Sequence, residues 1–244
     1  MMEIAYWLLI VFLLTYEPIY GYFDYQRFKA KVRVNPDERV RYYKKIMIGL
    51  WIPVFVIICF VFWGPLTLTD IGLNGITLNT ERLGKWLTYV VTGSAIGIVL
   101  IIIYQWIGTK VSKKMRIEIM KAKEKQLETS KFSDILPVSK KDKVLWTYVS
   151  WTAGITEEII YRGFLLFALS TLFPSLSIWV ILIASSFLFG LAHSYQGLGN
   201  VIRTTIIGLY FAVLYVVLGS IIPLILIHFL LDYAAKLGDS DSDN

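Results

Sequence analysis

The sequence predicts an all-α fold, a polytopic integral membrane bundle of about seven transmembrane helices. Hydrophobic residues make up 56% of the 244-residue chain and charged residues only 17%, which is too little polar surface for a soluble domain. Apolar runs that approach the roughly 20 residues needed to cross a bilayer as a helix recur along the chain. They cover residues 4–22, 46–64, 86–108, 144–173, 175–193, 201–219 and 220–235.

Basic residues are concentrated in two of the connections between these runs. Residues 27–45 contain eight Lys or Arg and residues 110–143 contain eleven, whereas the connection between the second and third runs has only Arg82 and Lys85. Cytoplasmic loops are enriched in Lys and Arg, so we expect the N-terminus outside and the C-terminus in the cytoplasm. The net charge of +6 then reflects membrane orientation and does not indicate nucleic acid as a partner.

Two further features limit the possible function classes. Residues 109–132 mix apolar residues with dense Lys and Glu, a composition that predicts a basic helix lying on the inner leaflet in contact with membrane lipids. Cys59 is the only cysteine, so an intramolecular disulfide and a cysteine-based zinc site are both excluded.

The fourth apolar run carries three ionisable residues, Glu157, Glu158 and Arg162. A charged side chain inside a membrane is costly, so each of them needs a partner or a function. Glu158 and Arg162 are four residues apart with the acid first, which is the favourable order for an ion pair within a helix. Glu157 lies about 100° around the helix from Glu158. Its carboxylate is therefore expected to remain available.

Both histidines of the chain lie in later apolar runs. His193 ends the fifth run, and His228 is followed four residues later by Asp232 in the last run. At that spacing the Asp232 carboxylate is expected to fix the orientation and tautomer of the His228 imidazole. A lone buried histidine is usually a satisfied core residue. Two histidines together with the acidic residues of the fourth run indicate a catalytic site.

These residues form three motifs in order along the chain, EExxxR, FxxxH and HxxxD. The pattern resembles the CPBP family of intramembrane proteases, which comprises the type II CAAX prenyl endopeptidases and the bacterial Abi or bacteriocin-processing relatives. The resemblance covers roughly residues 137–233, and the first three runs carry no such signature. The motif positions are Glu157, Glu158, Arg162, Phe189, His193, His228 and Asp232.

The resemblance divides the chain into three parts. Residues 1–143 form three N-terminal transmembrane helices with two basic cytoplasmic loops, and residues 144–235 form a catalytic four-helix core. Residues 236–244 form an acidic tail, which is expected to be disordered because the residues after Gly238 are only Asp, Ser and Asn.

The resemblance implies hydrolysis of a peptide bond in a membrane-associated peptide or a lipidated, CAAX-like protein. Amide hydrolysis needs an activated water, stabilisation of the oxyanion and protonation of the leaving amine. Glu157, desolvated among apolar residues, is expected to be the general base, and His193 is expected to hold the same water. His228 would donate to the oxyanion. Glu158 and Arg162 would hold the fourth helix in position.

A metal-dependent and a metal-free mechanism both fit this set. In the first, His193, His228 and Glu157 bind Zn²⁺, because two histidines and a carboxylate form a familiar open zinc site. In the second, Glu157 and His193 activate water without a metal. Many members of the family end the last motif in Asn, whereas Asp232 donates a hydrogen bond only when protonated. This departure slightly favours zinc.

Two other functions are compatible with a polar cluster in a membrane bundle. A non-catalytic membrane interaction or bacteriocin-immunity protein of the same family would not need the motif residues, yet all of them are present. A proton-coupled transporter would also bury Glu, His and Asp, but the sequence lacks the repeated broken helices of that class. An endopeptidase of the bacterial plasma membrane is the favoured interpretation.

Two residues outside the motifs also give rise to expectations. Glu17, beside Pro18 near the end of the first run, is expected to be a solvated helix end, with substrate contact as the alternative. Pro223 lies about one turn before His228 and is expected to kink the last helix, because proline removes a backbone hydrogen bond within a helix.

Overall fold

In a computed structural model of the protein, the described residues are 2–64, 66–128 and 132–236. They form helices joined by turns and short loops, and this part of the chain contains no strand. The predicted all-α class is confirmed.

The N-terminal half contains three long helical rods and one amphipathic helix. α1 and α2 form one continuous rod through a π-helical segment that contains Pro18, and α5 follows α4 after Ser112. α5 supplies the predicted basic helix, whose position on the inner leaflet stays a prediction. The bounds are Met2–Thr15 for α1, Tyr16–Gly21 for the π-helical segment, Tyr22–Val32 for α2, Glu38–Trp63 for α3, Lys85–Val111 for α4 and Lys113–Glu128 for α5.

The C-terminal half begins with a fourth rod, the second that contains a π-helical segment. α6 starts with a capping box, in which the Ser139 hydroxyl accepts from the Asp142 backbone N–H and the Asp142 carboxylate accepts from that of Ser139. Helix bounds are Lys140–Glu157 for α6, Glu158–Leu165 for the π-helical segment, Leu166–Leu172 for α7, Ile178–Ala192 for α8, Leu198–Leu218 for α9 and Ile222–Tyr233 for α10; single 3₁₀ turns span Ser133–Ile135, Ser194–Gln196 and Ala234–Lys236.

Within the described residues, four helical segments are long and apolar enough to cross a membrane. They are Glu3–Val32, Glu38–Trp63, Lys85–Val111 and Leu198–Leu218, whereas α8 and α10 are shorter apolar helices. The rod from α6 to α7 contains the three charged residues of the first motif, which lowers its apolar character. The expected number of seven membrane crossings therefore stays a prediction. Large apolar side chains such as Leu8, Phe55 and Leu100 are at least 60% exposed, as expected of a surface that faces lipid.

Pro223 does not have the expected position in the last helix. Pro223 lies in the first turn of α10, where its missing N–H would have no partner within the helix. The expected kink before His228 was wrong, because α10 begins only at Ile222.

Of the predicted acidic tail 236–244, only Lys236 belongs to the described residues, and the rest lies outside them. The boundary at 143/144 stays a prediction.

Loop 66–84 closes one end of the bundle over the turn between α9 and α10. The backbone N–H groups of Thr77 and Asn79 donate to the carbonyl groups of Leu218 and Val217, and the Asn74 amide donates to the Gly219 carbonyl at 2.9 Å. Glu157 and His193 lie near α2 and α3, since Asp24 and Lys45 line the same cavity.

α6 is the central helix of the site region, since it packs against both α3 and α10. Arg39 of α3 donates to the Asp142 carboxylate at 3.3 Å. On the α10 side, a Cβ atom at Gly154 would lie 3.0 Å from the Ile225 carbonyl oxygen and 3.2 Å from the Phe229 nitrogen. Both are backbone atoms and cannot rotate away. The absence of a side chain at Gly154 therefore allows α10 to approach the helix that carries Glu157.

Replacement of Gly154 by Val is expected to destabilise the protein by about 1–3 kcal/mol, as overpacking of a tight contact does. Thermal unfolding of the purified protein in detergent, followed by tryptophan fluorescence, measures the change. Gly97→Val is the matched control, because a Cβ at Gly97 on α4 would meet nothing within 4 Å. Equal melting temperatures for the two variants would contradict the close approach at Gly154.

Candidate active site

The structure brings the first and third motifs into direct contact. The Arg162 Nη1 donates to Glu158 Oε1 at 3.0 Å, and the His228 Nδ1 lies 2.7 Å from the same oxygen. The Glu158 and Arg162 side chains are 0% and 2% exposed. The predicted ion pair between Glu158 and Arg162 is present, and it also contacts the imidazole of α10.

The second motif contributes to the surroundings of this ion pair. The guanidinium of Arg162 lies over the ring of Phe189 at 4.4 Å and over the ring of Phe211 at 5.2 Å, an arrangement that stabilises a cation between aromatic faces. Its Nη2 donates to the Gly208 carbonyl at 3.2 Å. Arg162 thus connects the π-helical segment to α8 and α9, and the Phe of the FxxxH motif acts through this contact.

Glu157 has the free carboxylate expected from its position on the helix. Its side chain is buried, and its Oε2 has no hydrogen-bond partner among the described residues. The nearest charged neighbour is the His228 Nε2, at 3.7 Å from that oxygen. An unsatisfied buried carboxylate oxygen is costly. Oε2 of Glu158 shares this property, but of the two glutamates only Glu157 lines the cavity, so its carboxylate is accessible to a ligand. A water or a substrate N–H would satisfy it.

His193 lies at the C-terminal end of α8, beside the same cavity as Glu157. Its Nδ1 is 2.9 Å from the Phe189 carbonyl oxygen. A carbonyl only accepts, so Nδ1 carries the hydrogen and Nε2 of the neutral ring is an acceptor. His193 is therefore set up to accept a hydrogen bond from a water through Nε2.

Asp232 does not form the expected hydrogen bond with His228. Its Oδ2 lies 3.7 Å from Nε2, while the carboxylate of Glu158 takes the hydrogen bond at Nδ1. The physical reason is helix packing, because α10 presents Nδ1 to the π-helical segment. The part of Asp232 that is hydrogen-bonded is its backbone carbonyl, which accepts from the Trp146 indole at 2.9 Å.

Glu157 and Glu158 lie at the junction between α6 and the π-helical segment Glu158–Leu165, and Arg162 lies within that segment. Such segments insert extra backbone into an α-helix and occur frequently at functional sites. The sequence predicts the angle of about 100° between the Glu157 and Glu158 side chains, because that angle follows from regular helix geometry. It contains no local pattern that predicts the wider π-helical turn.

Glu17 is the site residue that sequence reasoning placed wrongly. Its carboxylate accepts a hydrogen bond of 2.7 Å from the Tyr161 hydroxyl, and it lines the cavity together with Glu157 and His193. It is therefore not a solvated helix end. The adjacent Ser194 hydroxyl donates to the Pro18 carbonyl at 2.8 Å. The signal that was available is a Glu-Pro pair inside an apolar run.

The cavity at these residues has a volume of about 110 Å³ and is lined by side chains from both halves of the chain. Glu157 and His193 form one part of its wall, and Glu17, Tyr20 and Lys45 lie among the residues of the N-terminal half that form the rest. A volume of this size accommodates several water molecules or one peptide group.

The donor atoms do not converge as a zinc site requires. Among the described residues, no group of three or more His, Cys, Asp or Glu is arranged to hold a metal ion. The Nδ1 atoms of His228 and His193 contact Glu158 and a backbone carbonyl, as those of metal-binding histidines often do, so the misfit lies in the missing convergence of the donor atoms. This side-chain arrangement does not fit the predicted zinc ligand set of His193, His228 and Glu157.

The fold and the site together define a helical membrane protein with a buried Glu, His and Arg cluster of the kind used in hydrolysis. Comparison with protein-family models matches residues 140–234 to the Rce1-like type II CAAX prenyl endopeptidases. The matched region contains all six candidate residues and confirms the resemblance stated from the motifs. That family is one of proteases, which supports a proteolytic activity and, together with the apolar helices, integration in a membrane. No curated protein and no solved structure matched the chain.

Removal of the Arg162 charge is expected to be strongly destabilising. Arg162→Met leaves the buried Glu158 carboxylate without its cation, which costs about 3–5 kcal/mol in comparable buried pairs. Chemical unfolding in mixed micelles measures the loss. Arg33→Gln is the control, since Arg33 pairs with Asp134 at 3.8 Å on the surface and such pairs contribute about 0–1 kcal/mol. Similar losses in both variants would show that Arg162 does not stabilise the bundle.

Proposed function

We propose that the protein is an intramembrane endopeptidase that hydrolyses a peptide bond of a membrane-associated peptide or CAAX-like protein. The observation that supports this most is the unpaired Glu157 carboxylate oxygen beside the His228 Nε2, on a cavity that His193 also lines. A base and a water-binding imidazole on one small cavity, with a second imidazole 3.7 Å from the base, are the groups that amide hydrolysis needs.

In the proposed reaction, a water lies between the Glu157 carboxylate and the His193 Nε2. Glu157 takes a proton from the water, and the water oxygen forms a bond to the carbonyl carbon of the peptide. The electron pair of the C=O bond moves to the oxygen. Collapse of this intermediate breaks the C–N bond, and the proton held by Glu157 is transferred to the leaving amine. The products are a carboxylate and an amine.

His228 is proposed to stabilise the oxyanion. Glu158, paired with Arg162, accepts from the Nδ1–H and thereby fixes the ring. When the imidazole is doubly protonated, its Nε2–H is free to donate to the negatively charged oxygen. Asp232, close to Nε2, would balance the charge of the imidazolium. It need not donate to the oxyanion itself, so the Asp at this position is compatible with the reaction.

Zn²⁺ remains a separate proposal for this site. It would require a side-chain rearrangement that brings His193, His228 and Glu157 together, and it would supply Lewis-acid activation of the water. The reaction described above uses no step through a metal.

The proposed placement is the bacterial plasma membrane, with seven crossings, an external N-terminus and a cytoplasmic C-terminus. It is supported by the concentration of Lys and Arg in residues 27–45 and 110–143. In this orientation loop 66–84 faces outward, and the cavity lies toward the cytoplasmic face. The partners would be membrane lipids and a peptide or lipidated protein substrate.

Replacement of Glu157 by Gln removes the base while the shape of the side chain is kept. We expect kcat to fall about 10²–10⁴-fold, as the loss of a general base does. The probes are a fluorogenic peptide ending in Cys-Val-Ile-Ser, with and without an S-farnesyl group, incubated with the protein in lipid vesicles. Glu81→Gln, the same change in exposed loop 66–84, is the control and is expected to retain full activity.

Cleavage of the probes by Glu157→Gln at the wild-type rate would remove Glu157 as the base. Cleavage of neither probe by the wild-type protein would contradict the endopeptidase proposal and favour the non-catalytic interaction or immunity role.

Metal depletion distinguishes the two mechanisms. The glutamate mechanism predicts that treatment with a strong chelator, followed by elemental analysis to verify depletion, leaves the cleavage rate unchanged. A loss of activity that added Zn²⁺ restores would instead assign a metal to the site.

A further inference from the structure

A basic cleft adjoins the candidate active site between α2 and α3. The cleft has a volume of about 260 Å³. Arg27 and Lys31 line one wall on α2, and Arg41 and Lys45 line the other wall on α3. In each helix the two basic residues are four apart and so lie on one face. Two helices thus present a pair of cations each to the same space.

The cations of the basic cleft are only partly neutralised. Arg41 forms an ion pair with Glu38, and Lys45 forms one with Asp24. Arg27 and Lys31 form no ion pair with any described residue. The cleft therefore holds two uncompensated positive charges, both on the α2 wall, and its chemistry favours a carboxylate or another anion.

The basic cleft and the site cavity share part of their walls. Tyr20, Asp24, Tyr42 and Lys45 line both spaces. Tyr42 stacks on Phe28 with ring centres 4.1 Å apart, so this shared wall is built of packed aromatic rings. A ligand that extends from Glu157 along the cavity would reach Lys45 first and the two unpaired cations of α2 next.

We propose that the basic cleft binds a carboxylate of the peptide substrate, a few residues from the bond that is cleaved. This inference rests on the proposed endopeptidase function. An extended peptide advances about 3.3–3.6 Å per residue, so a short segment connects the two spaces. The shared chemistry is a peptide carboxylate, which either the C-terminus or an acidic side chain supplies. A cleft that binds a lipid headgroup at the protein surface does not need to share a wall with the cavity that Glu157 lines.

Three versions of the Cys-Val-Ile-Ser probe test the inference in the wild-type protein. The first has a free C-terminal carboxylate, the second a C-terminal amide, and the third an amide with Glu in place of the last residue. We expect KM for the acid or for the Glu peptide to be about five- to tenfold lower than for the plain amide, as a partly screened charge-assisted contact provides. If only the probe with the free C-terminus has a low KM, the carboxylate that binds is the C-terminus. If the Glu probe has a low KM, an acidic side chain supplies the carboxylate.

The double variant Arg27→Gln/Lys31→Gln is expected to abolish this preference and to leave kcat within about twofold, because the cleft lies away from the reacting atoms. The ratio of the two KM values is measured within one protein sample, so it does not depend on the folded fraction. Lys44→Gln/Lys121→Gln is the matched control. These residues carry the same charge but line neither space, and the preference is expected to persist.

Two outcomes would overturn the inference and leave the endopeptidase proposal intact. One is equal KM for all three probes in a wild-type protein whose cleavage depends on Glu157. The other is an equal weakening of the carboxylate preference in the cleft variant and in the control variant. That result would mean that Arg27 and Lys31 contribute only to the general positive charge of this surface. Absence of cleavage with every probe would instead contradict the endopeptidase proposal itself.

Discussion

The ion pair between Glu158 and Arg162 is the interaction on which the geometry of the site depends. Two charges in a dry interior are stable only when each has partners that replace water. Arg162 has the Glu158 carboxylate, the Gly208 carbonyl and the faces of two phenylalanine rings, and Glu158 also has the His228 Nδ1. These contacts come from α8, α9 and α10. The arrangement of those helices around the central rod is therefore coupled to the satisfaction of one buried cation.

The same interaction separates the roles of two adjacent glutamates. Arg162 and His228 both bind Oε1 of Glu158. Oε2 is unpaired in each glutamate, but of the two only Glu157 lines the cavity. Neighbouring positions on a helix point about 100° apart, so one carboxylate has a structural environment and the other a reactive one. Glu17 and Lys45 show that the cavity also needs the N-terminal half, which lies outside the matched region 140–234.

The parts of the site that sequence reasoning predicted were those set by local helix geometry. The pairing of Glu158 with Arg162 and the freedom of Glu157 follow from spacing within one helix, and both are present in the structure. The expected neighbour Asp232 lies 3.7 Å from the His228 Nε2. Sequence reasoning did not predict the contact of Nδ1 with Glu158, because that contact depends on how two helices pack. Glu17 was missed for the same reason: its partner Tyr161 is 144 residues away.

The lengths of α8 and α10 affect how the site meets the bilayer. α8 has 15 residues and α10 has 12, which correspond to about 22 Å and 18 Å at the helical rise. The hydrocarbon core of a membrane is about 30 Å thick, and lipids beside a shorter apolar segment respond by thinning. His193 and His228 lie on these two helices. The lipid headgroup layers and the water beside them would therefore lie closer to the histidines than to the middle of α3 or α4. A hydrolytic reaction at this site then needs only a short path for water.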